Sequence, residues 1–148
     1  MIVAETLSDD RMLLEIVTPT GRVFSQPISA LVMPGHDGYF GVLPHHTPLL
    51  AVLKVGDIKI TQGENTLHFA TSGGVVEVLP DRVKILAETA EDAATIDVSR
   101  AEAARERARA RLAEGRKKWE TARAEASLAR ATNRLRVVEF YKDSHRAQ

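Results

Sequence analysis

Four arginines are spaced to bind an anion. Arg100 and Arg107 stand two helical turns apart in one Ala-rich stretch, and Arg130 and Arg134 are i, i+4 neighbours in another. Residues four apart share a helix face. Guanidinium groups grip phosphate through paired N–H donors. Two such helices folded back on each other would let both pairs converge on one anion. A solvated basic face is the plainer reading of the same spacing, and a nucleic-acid-binding helix is a third. Against the third, the basic residues alternate with Glu102, Glu106, Glu120 and Glu125, and Trp119 is the only aromatic of this region before Phe140.

Other chemistry is not expected. His36, His45, His46 and Asp37 cluster along the chain. Adjacent residues of an extended segment point to opposite faces, and no His pair has helical i, i+4 spacing, so loop and packing roles are expected rather than a metal site. Ser72 precedes two glycines without the strand–turn–helix context of a nucleophile elbow, and reads as part of a turn or bulge. The phosphate-loop spacing Gly-x-x-x-x-Gly-Lys-Ser/Thr is absent. With no cysteine in the chain, neither a disulfide nor a thiolate metal site is possible.

Two modules must position these residues. Through Thr95 the chain holds six Lys and Arg against twelve Asp and Glu; from Ile96 onward it holds fourteen against eight. The zero net charge therefore conceals an acidic half and a basic half. The acidic half is rich in Val, Ile, Leu, Gly and Pro; the basic half is mostly Ala, Arg and Glu. No apolar run approaches the ~20 residues of a membrane helix, and the first ten residues lack a signal peptide's basic start and apolar core.

The first module reads as all-β. Segments near 13–18, 23–24, 28–33, 57–61, 66–70, 75–79 and 82–87 are rich in β-formers and separated by turn signals, as in a sandwich or barrel. Pro27 interrupts the second stretch. Between them, residues 34–50 pack three glycines and three prolines among apolar residues. This segment reads as a rigid loop, with Tyr39 and Phe40 at its tip as a contact surface. The second module reads as two helices, roughly 98–113 and 117–141, broken at Glu114-Gly115-Arg116. Asp97 is the expected N-cap. Ala124, Leu128, Ala131, Leu135 and Val138 form one apolar seam, and a short break favours an antiparallel hairpin. An alanine seam holds weakly, since each absent CH₂ forgoes ~0.8 kcal/mol of burial. The hairpin is thus expected to need a partner surface or ligand.

Several segments resemble the epsilon subunit of F-type ATP synthase, called delta in mitochondria. Gly38-Tyr39-Phe40-Gly41-Val42-Leu43-Pro44-His45-His46-Thr47-Pro48-Leu49-Leu50 resembles its G-x-L-G-[IV]-L-P-x-H-x-P-L signature. Ser72-Gly73-Gly74-Val75-Val76-Glu77-Val78 is similar to its S-G-G-[FIV]-x-E-V strand. Ile96-Asp97-Val98-Ser99-Arg100-Ala101 resembles the I-D-x-x-R-A motif that opens its helical hairpin, and Asn133-Arg134-Leu135-Arg136-Val137-Val138-Glu139 resembles the end of its last helix.

The resemblance implies an N-terminal ten-stranded β-sandwich over 11–93 and a C-terminal antiparallel two-helix hairpin over 94–148, with 1–10 as an extension. It implies a non-catalytic rotor subunit at the cytoplasmic face of a bacterial plasma membrane rather than an organelle. Its partners would be the gamma subunit, the c-ring and the alpha/beta catalytic head. The ring-side contact would comprise His36, Asp37, Tyr39 and Phe40. The hairpin would lie on the sandwich or extend along gamma to restrain ATP hydrolysis. Some bacterial relatives bind a regulatory ATP in the folded hairpin, at positions matched here by Asp97, Arg100, Arg107, Arg130 and Arg134. No cofactor is otherwise required.

This chain departs from the family pattern twice. Tyr39-Phe40 stand where a Glu is frequent, so a polar contact to the c-ring is replaced by an apolar one. His45 stands where Gly is usual, and a backbone with φ > 0 there would strain it. The readings left beside this one are a stand-alone β-sandwich nucleotide-binding module and an α-helical nucleic-acid binder.

Overall fold

The computed structural model describes residues 8–115 and 117–146. Most of the expected N-terminal extension, residues 1–7, and Arg116 of the expected helix break lie outside them. Ten strands precede two helices: β1 Met12–Thr18, β2 Gly21–Ile28, β3 Ala30–Gly35, β4 Gly38–Val42, β5 Leu49–Leu53, β6 Gly56–Gln62, β7 Asn65–Thr71, β8 Gly74–Val78, β9 Arg82–Ala87 and β10 Ala90–Asp92. A 3-10 turn, Ala93–Thr95, leads into α1 Val98–Glu114 and then α2 Lys118–Arg146. The strands join in the order β10-β7-β6-β3-β5-β8-β9-β1-β2, with β4 on β3.

This sheet folds over on itself into a sandwich. The Phe24 ring of β2 meets the Phe69 ring of β7 edge to face at 5.8 Å, although these strands lie near opposite ends of the strand order. Gln62 Nε2 also donates to Gln26 Oε1 at 2.8 Å. Alternation places Met12, Leu14 and Ile16 of β1, Ile58 and Ile60 of β6, and Val83 and Ile85 of β9 in one core.

The sequence left two structural features unread. Residues 34–50 are not a loop but largely strand: β3 ends at Gly35, β4 returns from Gly38, and β5 starts at Leu49. The tip of that β3–β4 hairpin is His36-Asp37 rather than the aromatics, which lie behind it on β4. Tyr39 is exposed, but Phe40 is only half exposed and packs against the core. Second, β2 runs through Pro27. It does so at the sheet edge, where a missing N–H breaks no ladder.

His45 has φ 69°, the strained conformation anticipated for a residue standing at a glycine position. Its N–H donates to the Pro80 carbonyl at 2.7 Å and its ring Nε2 donates to the Asp9 carbonyl at 2.9 Å. His45→Gly is expected to stabilise the chain by about 1 kcal/mol against urea, because glycine relieves the left-handed strain. A lower unfolding midpoint would mean that the tether to Asp9 outweighs the strain.

The helices form the expected hairpin. Val98 and Glu102 of α1 lie beside Val138 and Glu139 of α2, while Arg111 and Glu114 lie beside Trp119 and Ala124. The two helices are thus antiparallel. Ala101 and Ala108 face Ala124, Ala131 and Val138, all buried. Gly115 ends α1 at φ 51°, the left-handed cap that glycine takes without a Cβ penalty. The expectation of a single seam on α2 needs correction. A second line, Asn133, Val137 and Tyr141, packs toward the sandwich, where Val137 joins Ala70 and Ala93. Spaced i, i+4, i+8, these residues seat α2 against β6 and β7.

Candidate functional site

The site lies where β10, the start of α1 and the middle of α2 meet. Asp92 opens the 3-10 turn by accepting from the Ala94 N–H at 2.9 Å. Asp97 then caps α1, its Oδ1 accepting from the Arg100 N–H at 3.1 Å. This cap fixes the first turn of α1, so Arg100 and Arg107 project from one side of the helix. β10 is held to β7 with Glu91 opposite Ala70. α2 is fixed by buried Asn133, whose Nδ2 donates to the Gly56 carbonyl at 2.8 Å and to the Thr71 carbonyl at 3.4 Å. A buried amide with two carbonyl partners sets the height and rotation of the helix, because any shift leaves it unsatisfied.

These elements enclose a cleft of about 410 Å³ lined by Glu91, Asp97, Arg100, Arg107 and Arg134, with Ile96 and Ala104 among its apolar walls. The volume suits a small-molecule ligand. Arg134 Nε donates to Glu91 Oε1 at 2.7 Å. Both side chains are partly exposed, so the pair adds little to stability, at most about 1 kcal/mol. Three guanidinium groups against two carboxylates leave the lining cationic. Arg130 stands apart from them. Its Nη2 donates to Ser127 Oγ at 3.2 Å, and it lines a neighbouring hollow of about 10 Å³, no larger than a water, shared with Asn133 and Arg134. Four of the five residues expected to hold an anion therefore share one cleft, and the fifth flanks it behind Arg134.

Sequence reasoning missed Glu91 and Asn133. Glu91 lies on a three-residue strand at the module boundary, outside the helical spacing that drew attention to the arginines. Asn133 breaks no pattern on α2, and its role depends on the sandwich that the helix meets.

Beside the β3–β4 hairpin, His36, Asp37, Tyr39 and Phe40 line an open hollow of about 770 Å³ with Leu49, Leu50 and Val52. Leu50 is 76% exposed and Val52 58% exposed. The His45 ring meets the Asp9 carbonyl and the His46 ring the Thr47 carbonyl.

Residues 11–93 match the family model of the ATP synthase delta/epsilon chain β-sandwich domain, and residues 95–139 match that of its long α-helix domain. The chain belongs to the ATP synthase delta/epsilon family. Among curated relatives, the ATP synthase epsilon chain of Syntrophobacter fumaroxidans is 52% identical over 130 residues, covering 88% of this chain and 97% of that one. The ATP synthase epsilon chain of Desulforamulus reducens is 46% identical over 126 residues, covering 85% and 96%. The fold also resembles a chain of the Euglena gracilis mitochondrial ATP synthase (OSCP/F1/c-ring, rotational state 1). That likeness has a TM-score of 0.73 at 20% identity, covering 87% of this chain and 81% of that one. In this delta/epsilon chain the match to the long α-helix domain falls on α1 and most of α2. Among the described residues, no helix is long and apolar enough to cross a membrane.

Proposed function

We propose that this chain is a non-catalytic subunit of the central stalk of an ATP synthase, peripheral to the cytoplasmic face of a bacterial plasma membrane. In this reading the sandwich links the gamma subunit to the c-ring. The β3–β4 hairpin and the exposed Leu50 and Val52 supply an apolar contact on the ring side. The helical pair regulates ATP hydrolysis: extended along gamma into the alpha/beta head it restrains turnover, and folded on the sandwich it does not.

One observation carries the regulatory part. Glu91 of the sandwich, Asp97, Arg100 and Arg107 of α1, and Arg134 of α2 share one cationic cleft. A polyphosphate is the ligand for three guanidinium groups, and ATP is the polyphosphate at hand in an ATP synthase. Because the cleft draws its walls from three elements, it exists only while the pair is folded. A ligand there therefore favours the folded state. At ten times its dissociation constant it would add about 1.4 kcal/mol. That is enough to matter against an alanine seam, and too little to lock the pair permanently.

Deleting residues 96–148 tests this reading in the assembled synthase. ATP hydrolysis is expected to rise severalfold while the sandwich still incorporates into the stalk. An unchanged rate in a correctly assembled complex would overturn the regulatory role.

A further inference from the structure

A single peptide group lies between the β3–β4 hairpin and α2. The Gly56 carbonyl accepts from Asn133 Nδ2 of α2 at 2.8 Å. The Asp57 N–H, on the other end of the same peptide plane, donates to Tyr39 Oη of β4 at 3.0 Å. Both Gly56 and Asp57 are buried. Position 56 must be glycine for this approach: a Cβ would collide with the Pro34 Cβ and come within 2.7 Å of Tyr39 Oη. Hydrogen bonds at the two ends of one amide polarise each other, so each is stronger while the other is made.

A second route leaves the same residue. The Asp57 carboxylate accepts from His68 Nδ1 at 2.9 Å, and His68 Nε2 is 2.9 Å from Ser144 Oγ on α2. Ser144 follows Asn133 by eleven positions, about 16 Å along the helix and on nearly the same face. The helix is therefore fastened at two points three turns apart. Both lead to the Gly56–Asp57 unit, and that unit holds Tyr39.

We infer that the Gly56–Asp57 peptide couples the seating of α2 to the placement of Tyr39. A partner held at the β3–β4 hairpin and a folded helical pair then favour each other. The coupling is reciprocal by thermodynamic necessity. It rests on the reading that the helical pair can leave the sandwich, and adds that the β3–β4 hairpin responds when it does.

Amide hydrogen exchange resolved by residue, on the full chain without nucleotide, tests this. Asn133→Ala alters only α2, yet is expected to speed exchange of the Asp57 N–H and of β4 by about tenfold. Tyr39→Phe alters only β4, yet is expected to speed exchange through the middle of α2 to a similar degree. Leu14 and Ile85, in β1 and β9, should keep their rates in both variants. Effects confined to α2 in the first variant and to Asp57 and β4 in the second would overturn the coupling. Should Asn133→Ala fail to fold, the Tyr39→Phe arm decides by the same criterion. If α2 in the unaltered chain exchanges no faster than β1, the releasable-pair reading fails, and the response of Asp57 to Asn133→Ala still decides the coupling.

Discussion

Arg134→Ala is expected to lower the affinity of the full chain for ATP by about a hundredfold, and Arg130→Ala by about tenfold or less. A hundredfold change is about 2.7 kcal/mol, within reach of one lost charge-assisted contact of about 1.5–3 kcal/mol. Arg134 carries more because it does two things. It lines the wide cleft, and it neutralises Glu91 at 2.7 Å. Without it, an unpaired carboxylate faces the incoming phosphates. Arg130 lines only the adjoining hollow. Calorimetry at millimolar ATP reads both effects. No binding by the unaltered chain would sink the nucleotide reading, and equal losses in the two variants would overturn the distinction between them. Since the Arg134–Glu91 pair is partly exposed, Arg134→Ala should leave the urea midpoint nearly unchanged.

Gly74→Ala is expected to cost the sandwich about 3–5 kcal/mol, a large share of a domain's usual 5–15 kcal/mol. Gly74 has φ 151°, and an added Cβ would run into the Leu86 carbonyl and lie 2.8 Å from the Ala87 Cα. Backbone strain of about 1–3 kcal/mol and overpacking of similar size act together there. Neither can relax easily, because the obstructing atoms are main chain on the paired strand β9. Gly73→Ala should cost less: its φ is 124°, but its nearest neighbour, the Leu53 carbonyl oxygen, is 3.1 Å away. Urea unfolding of the full chain measures both. A midpoint unmoved by Gly74→Ala would show that the entry to β8 can shift.

Strand positions and helix ends were legible in the sequence where a local rule governs them. Alternation located β6 and β9, Asp97 announced the start of α1, and Gly115 its end. Residues 34–50 defeated the same rules because glycine and proline dominate there, and these mark turns only when no sheet neighbour fixes them. Here β3, β4 and β5 share one sheet, and pairing overrides the punctuation. Spacing singled out four arginines but treated them as two equal pairs. Their separation into a cleft and a hollow depends on the rotation of α2, which Asn133 sets through the Gly56 carbonyl. The Asp57–His68 contact was closer to reach. Gln62 pairs with Asn65 across Gly63-Glu64, and that short turn fixes a register in which residues 57 and 68 are diagonal neighbours on one face.

One pairing bears on how the chain is made. β1 is hydrogen-bonded to β9 in parallel, Leu13 beside Arg82. Nothing nearer in the chain can complete that side of β1, since its other neighbour is the edge strand β2. On the ribosome, the sandwich must therefore wait for almost its whole length before β1 finds its place, and closing so long a loop is slow. The two helices make mostly local contacts and need no such wait. The two helices thus emerge after the sandwich and fold fast, onto a surface that has only just finished forming.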